Sequence, residues 1–466
     1  MALIKSISGI RGTMGGKPGE GLTPTDIIRF TSAFGSWIMN RTKSKNVRIV
    51  VGRDARISGD MVNRLVTGTL IGLGIDVTDV GLSTTPTVEM AVPAEKAAGG
   101  IILTASHNPK QWNALKLLNE KGEFISAADG EEVLRIAESD NVVFADVNKL
   151  GKITENSSYI KYHIEKVLAL PYVDVKAIRE RKFRIVVDAV NSTGGIAVPE
   201  LLRALGVDDI VELYCEPNGD FPHNPEPLPE NLRDISKAVV KNKAHLGIVV
   251  DPDVDRLALV CEDGEMFGEE YTLVSVADYV LKHKKGNTVS NLSSTRALRD
   301  VTEKAGGKYF ASAVGEVNVV EMMKANDAVI GGEGNGGVIL PALHYGRDAL
   351  AGIALFLSHL AKFGKSASML RAAYPDYHIS KNKIELTPEI NVDDILDGIR
   401  VKYKKQPVNT VDGVKIEFDK EWVHLRRSNT EPIIRIYSES ESETTAENLA
   451  KKIITDIREL IKLQQV

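Results

Sequence analysis

The sequence predicts three similar α/β domains followed by a smaller α+β domain, gathered around one shared site. Three observations predict it. A unit of apolar strand, polar loop, amphipathic helix and second apolar strand recurs three times. Each unit ends on a strand that runs straight into a loop dense in polar residues. After about residue 370 the pattern changes to strands rich in β-branched and aromatic residues, closed by one long amphipathic helix. The expected divisions are 1–152, 153–256, 257–370 and 371–466.

The first unit reads NVRIVVGRDAR, then MVNRLVTGTLIGLG, then AAGGIILTASHNP. The second reads FRIVVDAVNSTGG, VPELLRALG and AHLGIVVDPDVDR, and the third NTVSNLSSTRAL, LRDVTEKAGG and NDAVIGGEGNGG. Short apolar runs bounded by glycine and alternating with helical patterns are the signature of strands with crossover helices. Ligand sites in such open sheets lie beyond the carboxyl ends of the strands, where these loops fall. In the last part, IRVKYKK, VDGVKIEF, EWVHLRRS and IIRIYSES read as antiparallel strands. The stretch from Thr445 to Leu463 reads as a helix with Leu449, Ile453, Ile457 and Leu460 on one face. The acidic run before it suits a helix N-terminus. Linkers are expected near 150–160, 256–265 and 370–380.

Composition removes several classes of function. The chain has 466 residues, 43% hydrophobic and 26% charged, enough to bury large cores without disulfides or a structural metal. Its net charge of -5 argues against nucleic-acid binding, which needs a strongly basic surface. Cys215 and Cys261, far apart in sequence, make neither a disulfide framework nor a zinc site and fit buried thiols in a reducing compartment. The N-terminus lacks the apolar core of a signal peptide, and no apolar run reaches the roughly 18 residues needed to span a bilayer. The expectation is a cytoplasmic protein with no membrane partner.

Four loops carry the chemistry. Thr104-Ala105-Ser106-His107-Asn108-Pro109 follows an apolar strand. Asn-Pro and Ser are turn formers in any case. A serine that carries a phosphoryl group, however, needs cations and a proton acceptor nearby, which Lys116 and His107 could supply. Asp251-Pro252-Asp253-Val254-Asp255-Arg256 places three carboxylates at alternate positions after a buried strand. They would repel strongly unless a cation binds them, and oxygen-only ligands suit a hard ion, Mg²⁺ or Ca²⁺. An EF-hand needs glycine where Arg256 stands. A phosphatase of the haloacid-dehalogenase type, with Asp251 as nucleophile, fits the loop locally but leaves the third Asp and the serine loop without a role.

Gly331 to Gly337 is a glycine-dense loop without the Lys-Ser/Thr pair of a P-loop. Within it Glu333 and Asn335 suit hydroxyl recognition, and Gly315-Glu316 could add a second carboxylate. Arg426-Arg427-Ser428-Asn429-Thr430-Glu431-Pro432, with Arg435 on the following strand, would make a phosphate cradle. It could equally be a polar hairpin turn held by its own side chains. Arg11, in a glycine-flanked turn, would lie near the reacting phosphate, whereas Arg53 and Asp54 read as a structural pair.

Together these loops resemble those of the α-D-phosphohexomutases. That family's patterns are T/S-A-S-H-N-P with a later N-G-x-K, D-x-D-x-D-R, G-E-x-S-G-H and R-x-S-G/N-T-E-P. Here they read TASHNP and NALK, DPDVDR, GEGNGG and RRSNTEP, in the family's order. The pieces SGIRG, GRDAR and NPEP match as well, so the resemblance spans nearly the whole chain. It implies four domains around one cleft and a phosphoserine at Ser106. Mg²⁺ would be held by Asp251, Asp253, Asp255 and the serine phosphate. Arg11 and Arg256 would steady the transferring group, and Lys116 or His107 would handle the proton. Gly315, Glu316, Glu333 and Asn335 would meet the sugar, and Arg426, Ser428, Asn429, Thr430 and Arg435 the distal phosphate.

The implied activity interconverts hexose or hexosamine 6- and 1-phosphates through a hexose 1,6-bisphosphate, which also serves as activator. Glucosamine 6-phosphate is the leading substrate, with mannose and glucose phosphates as alternatives, and the expected assembly is a monomer or homodimer. Three positions depart from the pattern: Asn335 replaces Ser, Gly337 replaces His, and Ala114 replaces the Gly of N-G-x-K. The first two fall in the loop that reads the sugar.

Overall fold

The computed structural model describes residues 2–6, 9–42, 46–139, 141–387, 390–428 and 433–464. Three mixed sheets appear in chain order, each with the same device. A seven-stranded sheet runs in the order Leu3–Ser6, Gly9–Thr13, Trp112–Leu118, Gly99–Leu103, Arg48–Arg53, Asp76–Leu82, Ile153–Glu155. The second has Leu257–Cys261, Leu246–Val250, Arg184–Asp188 and Asp209–Leu213, and the third Tyr309–Ser312, Asn287–Asn291, Ala328–Glu333 and Gly337–Ile339.

In each sheet an inner strand parallel to its neighbour turns straight back as an antiparallel partner. Gly99–Leu103 lies parallel to Arg48–Arg53, and Trp112–Leu118 returns along it. Leu246–Val250 lies parallel to Arg184–Asp188, and Leu257–Cys261 returns. Ala328–Glu333 lies parallel to Asn287–Asn291, and Gly337–Ile339 returns. The serine, aspartate and glycine loops are those three turns. The return strand explains why each loop is short and fixed: both its ends are held by one ladder. The pairings also carry the first sheet past residue 152, through Ile153–Glu155, and the second past 256, through Leu257–Cys261.

The helix Ala349–Phe363 is buried around its whole circumference from Ala349 to Ala361, as a sequence apolar all round except for Ser358 and His359 requires. Asp348 caps its start by accepting from Ala351 N at 3.0 Å, and Gly364, at φ 76°, ends it. Its core is continuous with residues of the second and third sheets, and Phe356 meets Phe267 edge-on at 5.0 Å between ring centroids. Each such side chain contributes roughly 1.5–3 kcal/mol by leaving water.

The C-terminal unit has its own core and a five-stranded sheet, His378–Glu385, Ile433–Ser440, Trp422–Arg427, Val414–Glu417, Val408–Asn409. Two expectations change here. IRVKYKK is not a strand: it lies largely in the helix Val392–Lys402, whose buried Ile395, Leu396 and Ile399 follow helical spacing and whose N-cap is Asn391. The outer strand is instead His378–Glu385, beginning within the expected linker and paired along its full length with Ile433–Ser440. The last helix, Glu443–Gln464, buries Leu449, Ile453 and Ile457 as expected, with Leu460 packed beside them. Cys215 and Cys261 are free thiols, each pushed up to about 12 by burial. Among the described residues no helix is long and apolar enough to cross a membrane.

Candidate active site

Ser106 is buried and sits in the left-handed region at φ 50°, a conformation a non-glycine residue keeps only when its surroundings enforce it. They do. Thr104 Oγ1 accepts from Ser106 N at 2.9 Å and donates to Asp54 Oδ2 at 2.7 Å. Arg56, buried beside it, pairs with Asp54 at 2.9 Å and donates to the carbonyls of Ser106, Asn108 (2.7 Å), Pro109 (2.8 Å) and Trp112 (3.0 Å). The expected Arg53–Asp54 pair is therefore replaced by Asp54–Arg56; Arg53 reaches only the backbone oxygen of Asp54, at 3.3 Å. Reach explains the exchange, because Arg53 ends the strand while Arg56 turns back under the serine loop.

Ser106 Oγ donates to Asp251 Oδ2 at 2.9 Å, joining the first two loops. The aspartate turn is pinned from several sides: Thr85 N donates to Asp253 O (2.8 Å), Ser192 and Thr193 hydroxyls to Pro252 O (2.7 and 2.9 Å), and Ala349 N to Val254 O (3.2 Å). Val254 at its tip has φ 62°, strained for a β-branched residue. Asp251, Asp253 and Asp255 are fully buried, with one oxygen from each lying within 4.8 Å of the others. Burial, then Asp255 and Asp253, pushes the Asp251 carboxyl well above its ordinary range. Asp253 Oδ1 and Asp255 Oδ1 are buried with no hydrogen-bond partner. Orphaned carboxylate oxygens in an all-oxygen set fit a hard divalent cation such as Mg²⁺.

Cations surround this turn. Lys116, on Trp112–Leu118, donates to Asp253 Oδ2 at 2.7 Å and lies 3.6 Å from Asp255 Oδ2. Burial pulls its pKa down, but the two aspartates outweigh it and the net shift is upward. Arg11 donates to Asn108 Oδ1 at 2.9 Å. Arg256 reaches Glu226 of the NPEP stretch at 3.5 Å, and its buried Nε has no hydrogen-bond partner. His107 is held well below its ordinary value by burial, then by Arg256 and Arg11, and its buried Nδ1 has no partner.

Against the third loop, from the turn before Ala349–Phe363, lies a residue that sequence reasoning missed. Arg347 Nη2 donates to Asp255 Oδ2 (2.7 Å), Nε to Glu316 Oε2 (3.0 Å) and Nη1 to Glu333 Oε2 (3.0 Å). Glu333 Oε1 also accepts from Asn291 Nδ2 (2.8 Å) and Gly315 N (3.1 Å). Glu316 and Glu333 thus lie together, but on a guanidinium. Asn335 turns inward, its Oδ1 accepting from Gly337 N at 3.3 Å. No motif announces Arg347; the available signal was a lone Arg beside a helix-capping Asp.

In the fourth loop Arg426 and Arg435 stand directly opposite across Trp422–Arg427 and Ile433–Ser440. Like charges so placed destabilise a ladder unless an anion is shared. Ser428 is buried, with its N donating to Ile433 O at 3.0 Å. Asn429 and Thr430 lie outside the described residues. Asp412, also missed, lies 3.6 Å from Arg426 Nε and accepts from Val314 N at 3.0 Å, linking this loop to the segment before Gly315. The geometry therefore offers a buried hydroxyl on a carboxylate turn, a ring of cations and a carboxylate pair beyond it.

Sequence models of the four phosphoglucomutase/phosphomannomutase domains match in order: alpha/beta/alpha domain I at 3–142, domain II at 159–264, domain III at 268–377 and the C-terminal domain at 383–455. A phosphoglucomutase/phosphomannomutase of Thermococcus kodakarensis is 35% identical over 97% of this chain and 99% of its own. A phosphoglucosamine/phosphogalactosamine mutase of Sulfurisphaera tokodaii is 30% identical over 97% and 98%. The crystal structure of a phosphoglucomutase/phosphomannomutase family protein from Burkholderia thailandensis superposes with a TM-score of 0.85 at 26% identity, covering 99% of this chain and 97% of that one. The chain belongs to the phosphoglucomutase/phosphomannomutase family and is a phosphohexomutase, an enzyme of the isomerase class.

Proposed function

We propose that the chain interconverts hexosamine and hexose 6- and 1-phosphates, glucosamine 6-phosphate foremost, through a phosphoserine at Ser106 and a 1,6-bisphosphate. The observation that carries this reading is the buried Ser106 hydroxyl, 2.9 Å from Asp251 and backed by Lys116 and the aspartate turn. Asp251, Asp253, Asp255 and the serine phosphate would hold Mg²⁺, which would supply charge stabilisation to the transferring phosphoryl group.

In the forward step the bond between phosphorus and Ser106 Oγ breaks as one forms to the free sugar hydroxyl. The hydroxyl proton passes to a base. His107, whose buried Nδ1 has no partner, or Lys116 would take it, and Arg11 and Arg256 would offset charge on the transferring group. The bisphosphate then turns end for end, and its other phosphoryl returns to Ser106. Arg426, Ser428, Asn429, Thr430 and Arg435 would hold the phosphate that is not reacting.

Glu316 and Glu333, gathered on the Arg347 guanidinium, supply carboxylates that could meet a sugar's 2-ammonium. The test compares turnover of glucosamine 6-phosphate, mannose 1-phosphate and glucose 1-phosphate with Mg²⁺ and catalytic bisphosphate. The reading expects the highest kcat/KM for the glucosamine ester; release of free phosphate in place of isomer would overturn it.

A further inference from the structure

Gly337 and Arg347 form a matched pair. The phosphohexomutase loop pattern that this chain resembles ends on His, where the sequence here has Gly337. Gly337 is absent from the positive-φ positions, so its backbone alone would accept a side chain. Arg347 is what forbids one. A Cβ at 337 would overlap Arg347 Cδ and stand 3.0 Å from its Cγ. Arg347 comes from the turn before Ala349–Phe363, bridged to Ile339, with Asp348 N donating to Val338 O at 2.8 Å. Asp348 is itself fixed by His163 (2.8 Å) and His344 (3.1 Å), so the arginine enters on a rigid mount. It is buried, with a carboxylate on each of its three nitrogens.

We propose that Arg347 is the positioning cation of the sugar loop, filling from the opposite element the space into which the family's histidine would project from position 337. It holds Glu316 and Glu333 for the sugar and ties both to Asp255, so that the sugar loop and the aspartate turn keep one geometry. A single guanidinium can do this because its planar fork sets donors on three separate nitrogens at fixed directions, whereas an ammonium offers its three donors from one atom. The inference rests on the mutase reading for its kinetic consequence, and on packing alone for the pairing of positions.

The experiment compares the unsubstituted protein with Arg347→Ala, Arg347→Lys, Gly337→His, Gly337→Ala, Gly337→His/Arg347→Ala and Gly337→Ala/Arg347→Ala, by hexose-phosphate kinetics and thermal melting. Arg347→Ala, Arg347→Lys and Gly337→His should each raise KM about tenfold or more, the size of one hydrogen bond to a charged group. Gly337→His/Arg347→Ala should have a lower KM than either of its single variants. Gly337→Ala should lower Tm when Arg347 is present and change it little in the Arg347→Ala background. A KM for Arg347→Lys within twofold of the unsubstituted protein, or strictly additive effects in the His/Ala pair, would overturn the positioning role. Additive Tm changes would overturn the pairing. If the unsubstituted protein isomerises no hexose phosphate, the mutase reading fails, and the melts still decide the pairing. If Arg347→Ala does not fold, Arg347→Lys decides the positioning role by KM, and an unchanged Tm for Gly337→Ala overturns the pairing.

Discussion

Replacing Arg56 by Ala tests how the reactive loop is held. The guanidinium is fully enclosed and pairs with an equally enclosed Asp54 at 2.9 Å while donating to four carbonyls around the loop. Removing one partner of such a pair leaves an uncompensated buried charge, which costs about 3–5 kcal/mol. Two effects act in opposite directions. Burial already raises the pKa of Asp54, so it can take up a proton and soften the penalty. The orphaned carbonyls add roughly 1–3 kcal/mol each where water cannot reach them. A net loss of about 4 kcal/mol is expected, with Arg56→Lys losing less because it keeps the charge but not the fork. Urea unfolding gives the total, and hydrogen exchange across 104–111 locates it. Because Ser106 is held at φ 50° by these contacts, kcat should fall on the order of 100-fold even where the protein stays folded. A loss below about 1 kcal/mol with kcat nearly unchanged would refute the reasoning.

Two further outcomes follow from the site and its surroundings. Adding Mg²⁺ to chelator-treated protein should raise Tm by relieving repulsion among Asp251, Asp253 and Asp255, and should restore turnover; Asp255→Asn should blunt both responses, whereas an unchanged Tm would contradict the metal assignment. His344, against Asp348 at 3.1 Å and Glu89 at 3.3 Å, has its pKa raised to about 10 although burial opposes this, because Asp348 and Glu89 favour the imidazolium. Its contribution is fully present below pH 6.5 and is lost as pH rises through about 10, so pH-dependent unfolding should show a decline across that window that His344→Gln flattens.

The three α/β units were legible because each repeats strand, helix and loaded loop at short range, and such local patterns need no knowledge of long-range pairing. The loops were legible for a related reason: each gathers its polar residues in one short run, as around Ser106 and again from Asp251 to Asp255, and such runs make little sense as core. Arg347, Arg56 and Asp412 were not legible. Each acts across a long chain separation, as Arg347 does on Asp255 and Arg56 on the serine loop, and a single arginine carries no spacing signal. IRVKYKK misled through its β-branched and aromatic content, where the wider stripe of Ile395, Leu396 and Ile399 carried the helix. Glu316 and Glu333 showed that a carboxylate suited to a ligand can meet a protein cation first.

The most direct test of the central claim is to incubate the protein with glucose 1,6-bisphosphate and Mg²⁺, quench in acid and map the phosphoryl group by mass spectrometry. The account expects one acid-stable phosphoryl on Ser106, none on the Ser106→Ala protein, and loss of isomerisation in that variant. A phosphoryl on Asp251, or undiminished turnover by Ser106→Ala, would contradict it.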